Sequence, residues 1–135
     1  MQNKLSIKHI AGRPLSVLVI DDNDAITVSV TFILRSRGYK VIARSDGKEG
    51  INAFRMEKPD LVLLDYDIPK IHGSEVLKMI REDEQLGNTP VIMLTGNADE
   101  KIVKRLINMG VQNYILKPFE QSNLIAKVEA AIGDS

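Results

Sequence analysis

Asp21 and Asp22 close the apolar run "SVLVIDD", Asp65 closes "LVLLD" with Asp67 two residues beyond, Thr95 closes "PVIMLT", and Lys117 closes "NYILK". Carboxylates brought together repel, and in a low-dielectric crevice that repulsion raises their pKa values unless a cation offsets it. All-oxygen ligands favour a hard divalent ion, Mg²⁺ above all, with Mn²⁺ or Ca²⁺ able to substitute. The two histidines, His9 and His72, make no ligand pair at their spacing, and the chain has no cysteine. Taken singly, each residue has a plainer explanation. An Asp at a strand end is more often an N-cap or Asx-turn residue than a ligand, and Asp24, Asp46 and Asp60 are read that way. Thr95 alone reads as a turn hydroxyl, Lys117 as a solvated charge and Tyr114 as packing. Coincidence shifts the balance, because an acidic pair, a single Asp, a hydroxyl and a lysine all fall at carboxyl ends of separate strands and none at the amino ends.

The elements that must position them follow from hydrophobic periodicity. "SVLVID" is a short β-branched run of the fully buried kind. Ile26, Val30, Ile33 and Leu34 then form one apolar stripe of a helix that stops near Gly38. "YKVIAR" predicts a second strand, and residues 47–58 a helix with Ile51 and Phe54 inward, closed by Pro59. "DLVLLD" predicts the third strand, followed past Pro69 and Gly73 by the helix "SEVLKMIRED", with Ser74 as its N-cap and Val76, Leu77 and Ile80 inward. "PVIMLT" and "QNYILK" predict strands four and five. The helices after them span 98–109, through Ile102, Val103 and Leu106, and about 120–132, carrying Leu124, Ile125 and Val128. Residues 1–14 form an extension ending at Arg13-Pro14, and residues 15–133 form the domain.

Strands alternating with helices across short loops predict a doubly wound α/β domain, a five-stranded parallel sheet covered on both faces. In such a sheet the ligand crevice opens at the carboxyl ends of the strands, beside the point where strand order reverses. For the order 2-1-3-4-5, strands one and three are neighbours and Asp21, Asp22 and Asp65 converge.

Bulk composition narrows the class. The chain has 135 residues, enough for one domain with a real core, and 44% apolar against 4% aromatic residues means a core of Val, Ile, Leu and Met. Basic and acidic residues balance at 18 each, so no positive field draws the chain to nucleic acid or acidic membranes. No apolar stretch approaches the ~20 residues of a membrane span. The start "MQNKLSIKHIAGRP" is too polar for a signal peptide. The expected location is the cytoplasm.

"VLVIDDND", "LVLLDYDIP" followed by Gly73, "PVIMLTG" and "YILKPF" together resemble the receiver domain of two-component response regulators, the CheY-like superfamily, over nearly the whole chain. The resemblance implies a (βα)5 flavodoxin-like fold in which a histidine kinase or histidine phosphotransfer protein phosphorylates Asp65. It implies that Asp22 ligates Mg²⁺ directly, Asp21 largely through a metal-bound water, and Asp67 through its backbone carbonyl. Thr95 matches the switch hydroxyl, Tyr114 the aromatic that swings inward with it, and Lys117 the phosphoryl-contacting lysine, with Lys117-Pro118 expected cis. The output is a change of the surface formed by the fourth helix, fifth strand and fifth helix, read by an unspecified protein target, and no catalysis beyond the chain's own phosphorylation and dephosphorylation.

The sequence departs from the family pattern in places. Ile68 stands where Met is common, and His72 stands before Gly73 where Asp is usual. Asp67 adds a carboxylate that should strengthen metal binding and disfavour a dianion, and Asn97 occupies another position that tunes the lifetime of the phosphorylated state in the family. The D-x-D of Asp65 and Asp67 also resembles the nucleophile loop of haloacid-dehalogenase-type phosphatases, although that family places it on the first strand with an acidic pair downstream. A phosphorylation-independent scaffold on the same fold is the other alternative. No G-x-G-x-x-G or G-x-x-x-x-G-K-[ST] loop follows strand one, so nucleotide binding is not expected.

Overall fold

The structure, a computed structural model, describes residues 9–10, 12–96 and 99–133. Strand β1 (Ser16–Ile20) is followed by α1 (Asp24–Ser36), β2 (Lys40–Arg44), α2 (Gly47–Glu57), β3 (Leu61–Asp65), α3 (Gly73–Arg81), β4 (Val91–Thr95), α4 (Glu100–Asn108), β5 (Asn113–Leu116) and α5 (Gln121–Val128), which runs on into a widened turn at Glu129–Gly133. The strands form one parallel sheet in the order β2-β1-β3-β4-β5. The doubly wound architecture predicted from the sequence is therefore the one observed.

Strand periodicity divides the core in two. Val17 and Val19, Leu61 and Leu63, and Ile92 and Leu94 point to one face, where α1 supplies Val30, Ile33 and Leu34 and α5 supplies Leu124 and Val128. Leu18 and Ile20, Val62 and Leu64, and Val91 and Met93 point to the other, against Ile51 and Phe54 of α2, Val76, Leu77 and Ile80 of α3, and Leu106 of α4. Every residue of β1, β3 and β4 is buried, as strands covered on both faces must be.

Several local expectations are corrected. Asn23 caps α1, accepting from the Ile26 amide at 3.1 Å, so Asp24 is the first helical residue and no cap. Asp46 does cap α2, through the Glu49 amide at 2.8 Å. Asp60 caps no helix; it accepts from the Ser16 amide at 2.7 Å and from Arg13. The N-cap of α3 is His72 and not Ser74, because the imidazole Nδ1 accepts the Ser74 amide at 3.1 Å and takes the place a side-chain oxygen usually fills. In the extension, His9–Ile10 pairs antiparallel with Arg13–Pro14 around Gly12, whose φ of +81° suits glycine. The rest of that extension and Asn97 lie outside the described residues. Among the described residues no helix is long and apolar enough to cross a membrane.

Candidate functional site

At the carboxyl end of the sheet, β1 hands over to Asp21, whose amide still donates to Arg44 of β2 at 3.0 Å. Its Oδ1 then accepts the Asn23 amide at 2.9 Å, turning the chain into α1 and leaving Oδ2 aimed at the crevice. Beside it β3 ends in Asp65, whose Oδ1 accepts the Asp67 amide at 3.2 Å. Helix α3 starts hard against this strand end. A Cβ on Gly73 would stand 2.5 Å from the Asp65 carbonyl oxygen, and the Gly73 amide donates to the Tyr66 carbonyl at 3.2 Å. Only glycine permits that approach.

Lys117 enters from β5. Its amide donates to the Thr95 carbonyl at 2.8 Å, and the Lys117-Pro118 bond is cis, as the resemblance implied. Its Nζ lies 2.8 Å from Asp21 Oδ2 and 3.2 Å from Asp65 Oδ1. One ammonium thus bridges the carboxylates of two neighbouring strands. Asp22 completes an acidic trio whose ligand oxygens all lie within 4.8 Å of one another, with Asp21 and Asp65 buried and Asp22 exposed.

The electrostatics of this cluster are unbalanced. Burial, and secondarily the Asp21 charge, push the Asp65 carboxyl up to about 6, against the opposing pull of Lys117 and the Asp67 amide. Burial works against the Lys117 charge as well, yet its contacts with Asp21 and Asp65 raise the ammonium above its ordinary value. The short approach to Lys117 gives Asp21 Oδ2 an ion pair without hydrogen-bond alignment, so this buried oxygen has no directional donor. A hard divalent cation fits what the donors present: oxygen ligands only, an unaligned buried oxygen, and three carboxylates against one ammonium.

The remaining predicted residues take distinct places. Thr95 is buried at the end of β4. Tyr114 is half-buried on β5, where its carbonyl accepts from Lys127 Nζ at 2.7 Å and its ring lies 5.2 Å from that ammonium. Asp67 stays outside the acidic trio with its side chain 78% exposed, and its Oδ1 faces His72 Nε2 at 3.8 Å. Sequence reasoning passed over Lys127 and took His72 only as a departure from a pattern. The signal for His72 was its place immediately before the glycine that opens α3.

Residues 17–129 match the response regulator receiver domain family. Among similar proteins, the hybrid signal transduction histidine kinase D of Dictyostelium discoideum is 37% identical over 91% of this chain. The alkaline phosphatase synthesis transcriptional regulatory protein PhoP of Bacillus subtilis is 38% identical over 86%. The chain spans only 8% of the first and 48% of the second. Among solved structures, the chemotaxis response regulator CheY4 of Vibrio cholerae superposes with a TM-score of 0.83 at 26% identity, covering 87% of this chain and 98% of that one. The receiver domain of the sensor histidine kinase PA1611 of Pseudomonas aeruginosa, with a magnesium ion coordinated in its active-site cleft, gives 0.81 at 28% identity, covering 89% and 98%.

Proposed function

The chain belongs to the response regulator receiver domain family of two-component signalling, and from that premise we propose that it is a phospho-acceptor switch whose acceptor is Asp65. The donor is a phosphohistidine of a sensor kinase or of a histidine phosphotransfer protein. A carboxylate oxygen of Asp65 forms the new P–O bond while the donor's P–N bond breaks, and the imidazole departs with the electron pair. Asp21, Asp22 and Asp65, with the backbone carbonyl of Asp67, are the residues that would hold Mg²⁺, Asp21 largely through a water. When bound, that ion neutralises charge on the transferring group. Lys117 supplies the second positive charge and is already drawn to Asp65 at 3.2 Å.

Once modified, Asp65 offers acceptor oxygens to the Thr95 hydroxyl and to Lys117. Thr95 moves toward the phosphoryl group, Tyr114 fills the space it leaves, and the surface of α4, β5 and α5 changes for a downstream protein. Asp67 and Asn97 tune how long the state lasts. In this reading residues 15–133 are the signalling unit behind an extension of 1–14. It works in the cytoplasm without contacting nucleic acid or membrane, and catalyses only its own phosphorylation and dephosphorylation.

The observation that carries the reading is the bridge of Lys117 between Asp21 and Asp65 with Asp22 alongside. The test is intact mass after incubation with Mg²⁺ and a small phosphodonor. Wild type is expected to gain one phosphoryl group, and both EDTA and Asp65→Asn to abolish the gain. An unlabelled wild type contradicts the switch and favours the scaffold alternative, whereas label persisting in Asp65→Asn misplaces the acceptor. Steady turnover of a phosphate ester would instead favour the phosphatase alternative.

A further inference from the structure

We propose that His72 is a positioning residue: its imidazole holds the Asp67 carboxylate away from the acidic trio and thereby weakens the trio's grip on a divalent cation. The inference rests on reading Asp21, Asp22 and Asp65 as the metal site. Asp67 follows Asp65 by two residues and its amide is bonded to the Asp65 carboxylate at 3.2 Å, yet its own carboxylate is not among the oxygens the trio gathers. It faces outward, with Oδ1 3.8 Å from His72 Nε2. That separation is beyond a hydrogen bond but within electrostatic reach.

The ring that faces Asp67 is fixed from its other sides. Nδ1 accepts the Ser74 amide at 3.1 Å and lies 2.9 Å from the Ser74 hydroxyl, while the Tyr66 ring meets the imidazole edge-on with centroids 4.5 Å apart. A nitrogen that accepts carries no proton, so the proton of the neutral ring sits on Nε2, the nitrogen turned to Asp67. Capping α3 therefore sets the tautomer, and the tautomer presents a donor to the carboxylate. The backbone between the two residues is pinned separately. The Gly47 amide donates to the Pro69 carbonyl at 3.2 Å, the Ile71 amide to the same carbonyl at 2.9 Å, and Lys70 Nζ lies 3.5 Å from Asp46. With the loop held, the 78% exposed Asp67 side chain still has room to change rotamer. Turned inward, it would add negative charge beside the cation position.

His72→Ser separates the two roles, since serine caps helices well but offers nothing to Asp67. Mg²⁺ affinity is measured by calorimetric titration of the full chain for wild type, His72→Ser, Asp67→Asn and the double variant. His72→Ser is expected to bind Mg²⁺ up to about two-fold more tightly, the low end of what an exposed contact supplies, because the neutral imidazole meets Asp67 as an N–H dipole and not as a full charge. In the Asp67→Asn background the same substitution is expected to change nothing. Unchanged affinity in His72→Ser, or an equal change in both backgrounds, overturns the inference and leaves the metal site standing. A wild type that binds no Mg²⁺ overturns the site reading, and the inference with it. A metal-free readout is the ¹⁵N correlation spectrum of the His72 ring: protonated Nε2 with bare Nδ1 is expected, and the opposite tautomer overturns the proposal.

Discussion

Strand β3 has an aspartate at each end, and the two are held in opposite ways. Asp60, just before the strand, accepts the Ser16 amide at 2.7 Å and two nitrogens of Arg13 at 3.0 and 3.3 Å. Burial alone would raise its pKa, but the hydrogen bonds from Arg13 and Ser16 outweigh it and hold the carboxyl below the ordinary value. Asp65, at the far end, is pushed up to about 6 because burial and the Asp21 charge exceed what Lys117 and one amide return. The same contrast holds for the cations. Among the described residues Arg81, near the amino end of the sheet, donates to uncharged acceptors, the carbonyls of Gly87, Thr89 and Gly110 and the amide of Gln112, whereas Lys117 serves two carboxylates. One end of the sheet is closed by its own side chains; the other sets three carboxylates against one ammonium, a shortfall of positive charge that a divalent cation would fill.

The comparison breaks hardest at Arg81. Replacing it by Met should cost about 3 kcal/mol in urea unfolding, since carbonyls of the loops before β4 and β5 lose a shared donor. Next in size is a reversal of sign along β3. Asp65→Asn should stabilise the metal-free protein at neutral pH by about 2 kcal/mol, and Asp60→Asn should destabilise it by a similar or slightly smaller amount. Two losses, or two gains, would erase the distinction between the ends.

pH sharpens it. An unfolded aspartate releases its proton near 3.8 and folded Asp65 near 6. Between those values the folded state binds more protons, so metal-free stability should fall as pH rises through the window and level off above it. Asp60 acts in the other direction. Its folded pKa is depressed, so its contribution is present above the unfolded value and is lost as pH falls through the folded one. The stability difference between wild type and Asp65→Asn should shrink to nothing below a pH of about 4, checked by urea unfolding across pH. The smallest effect is expected at the exposed Glu100–Lys104 pair of α4, 3.3 Å apart, where Lys104→Ala should cost under about 0.5 kcal/mol.

How much of this was legible in the sequence depends on whether a residue's role is set by strand direction or by side-chain geometry. The placing of Asp21, Asp22, Asp65 and Lys117 at one end follows from parallel strands, because apolar runs fix both where a strand stops and which end it stops at. The faces of α1 and α3 were equally plain from the spacing of Val30, Ile33 and Leu34 and of Val76, Leu77 and Ile80. Capping was not, since Asn23 and Asp24 are adjacent and both are good caps, and His72 displaced Ser74 by using a ring nitrogen that composition rules rank poorly. Asp60 looked like a turn residue, and its partners Arg13 and Ser16 lie 47 and 44 residues away. The outward turn of Asp67 is a rotamer, invisible to any pattern of residue types.

The need for a cation at the carboxyl end is tested most directly by thermal unfolding near pH 7 with and without excess Mg²⁺, in wild type and in Asp65→Asn. Wild type should melt higher with Mg²⁺, by an amount corresponding to about 2.7 kcal/mol at a hundredfold excess over Kd, while Asp65→Asn melts higher without metal and gains little from it. An identical response of the two proteins, or none in wild type, would contradict the account.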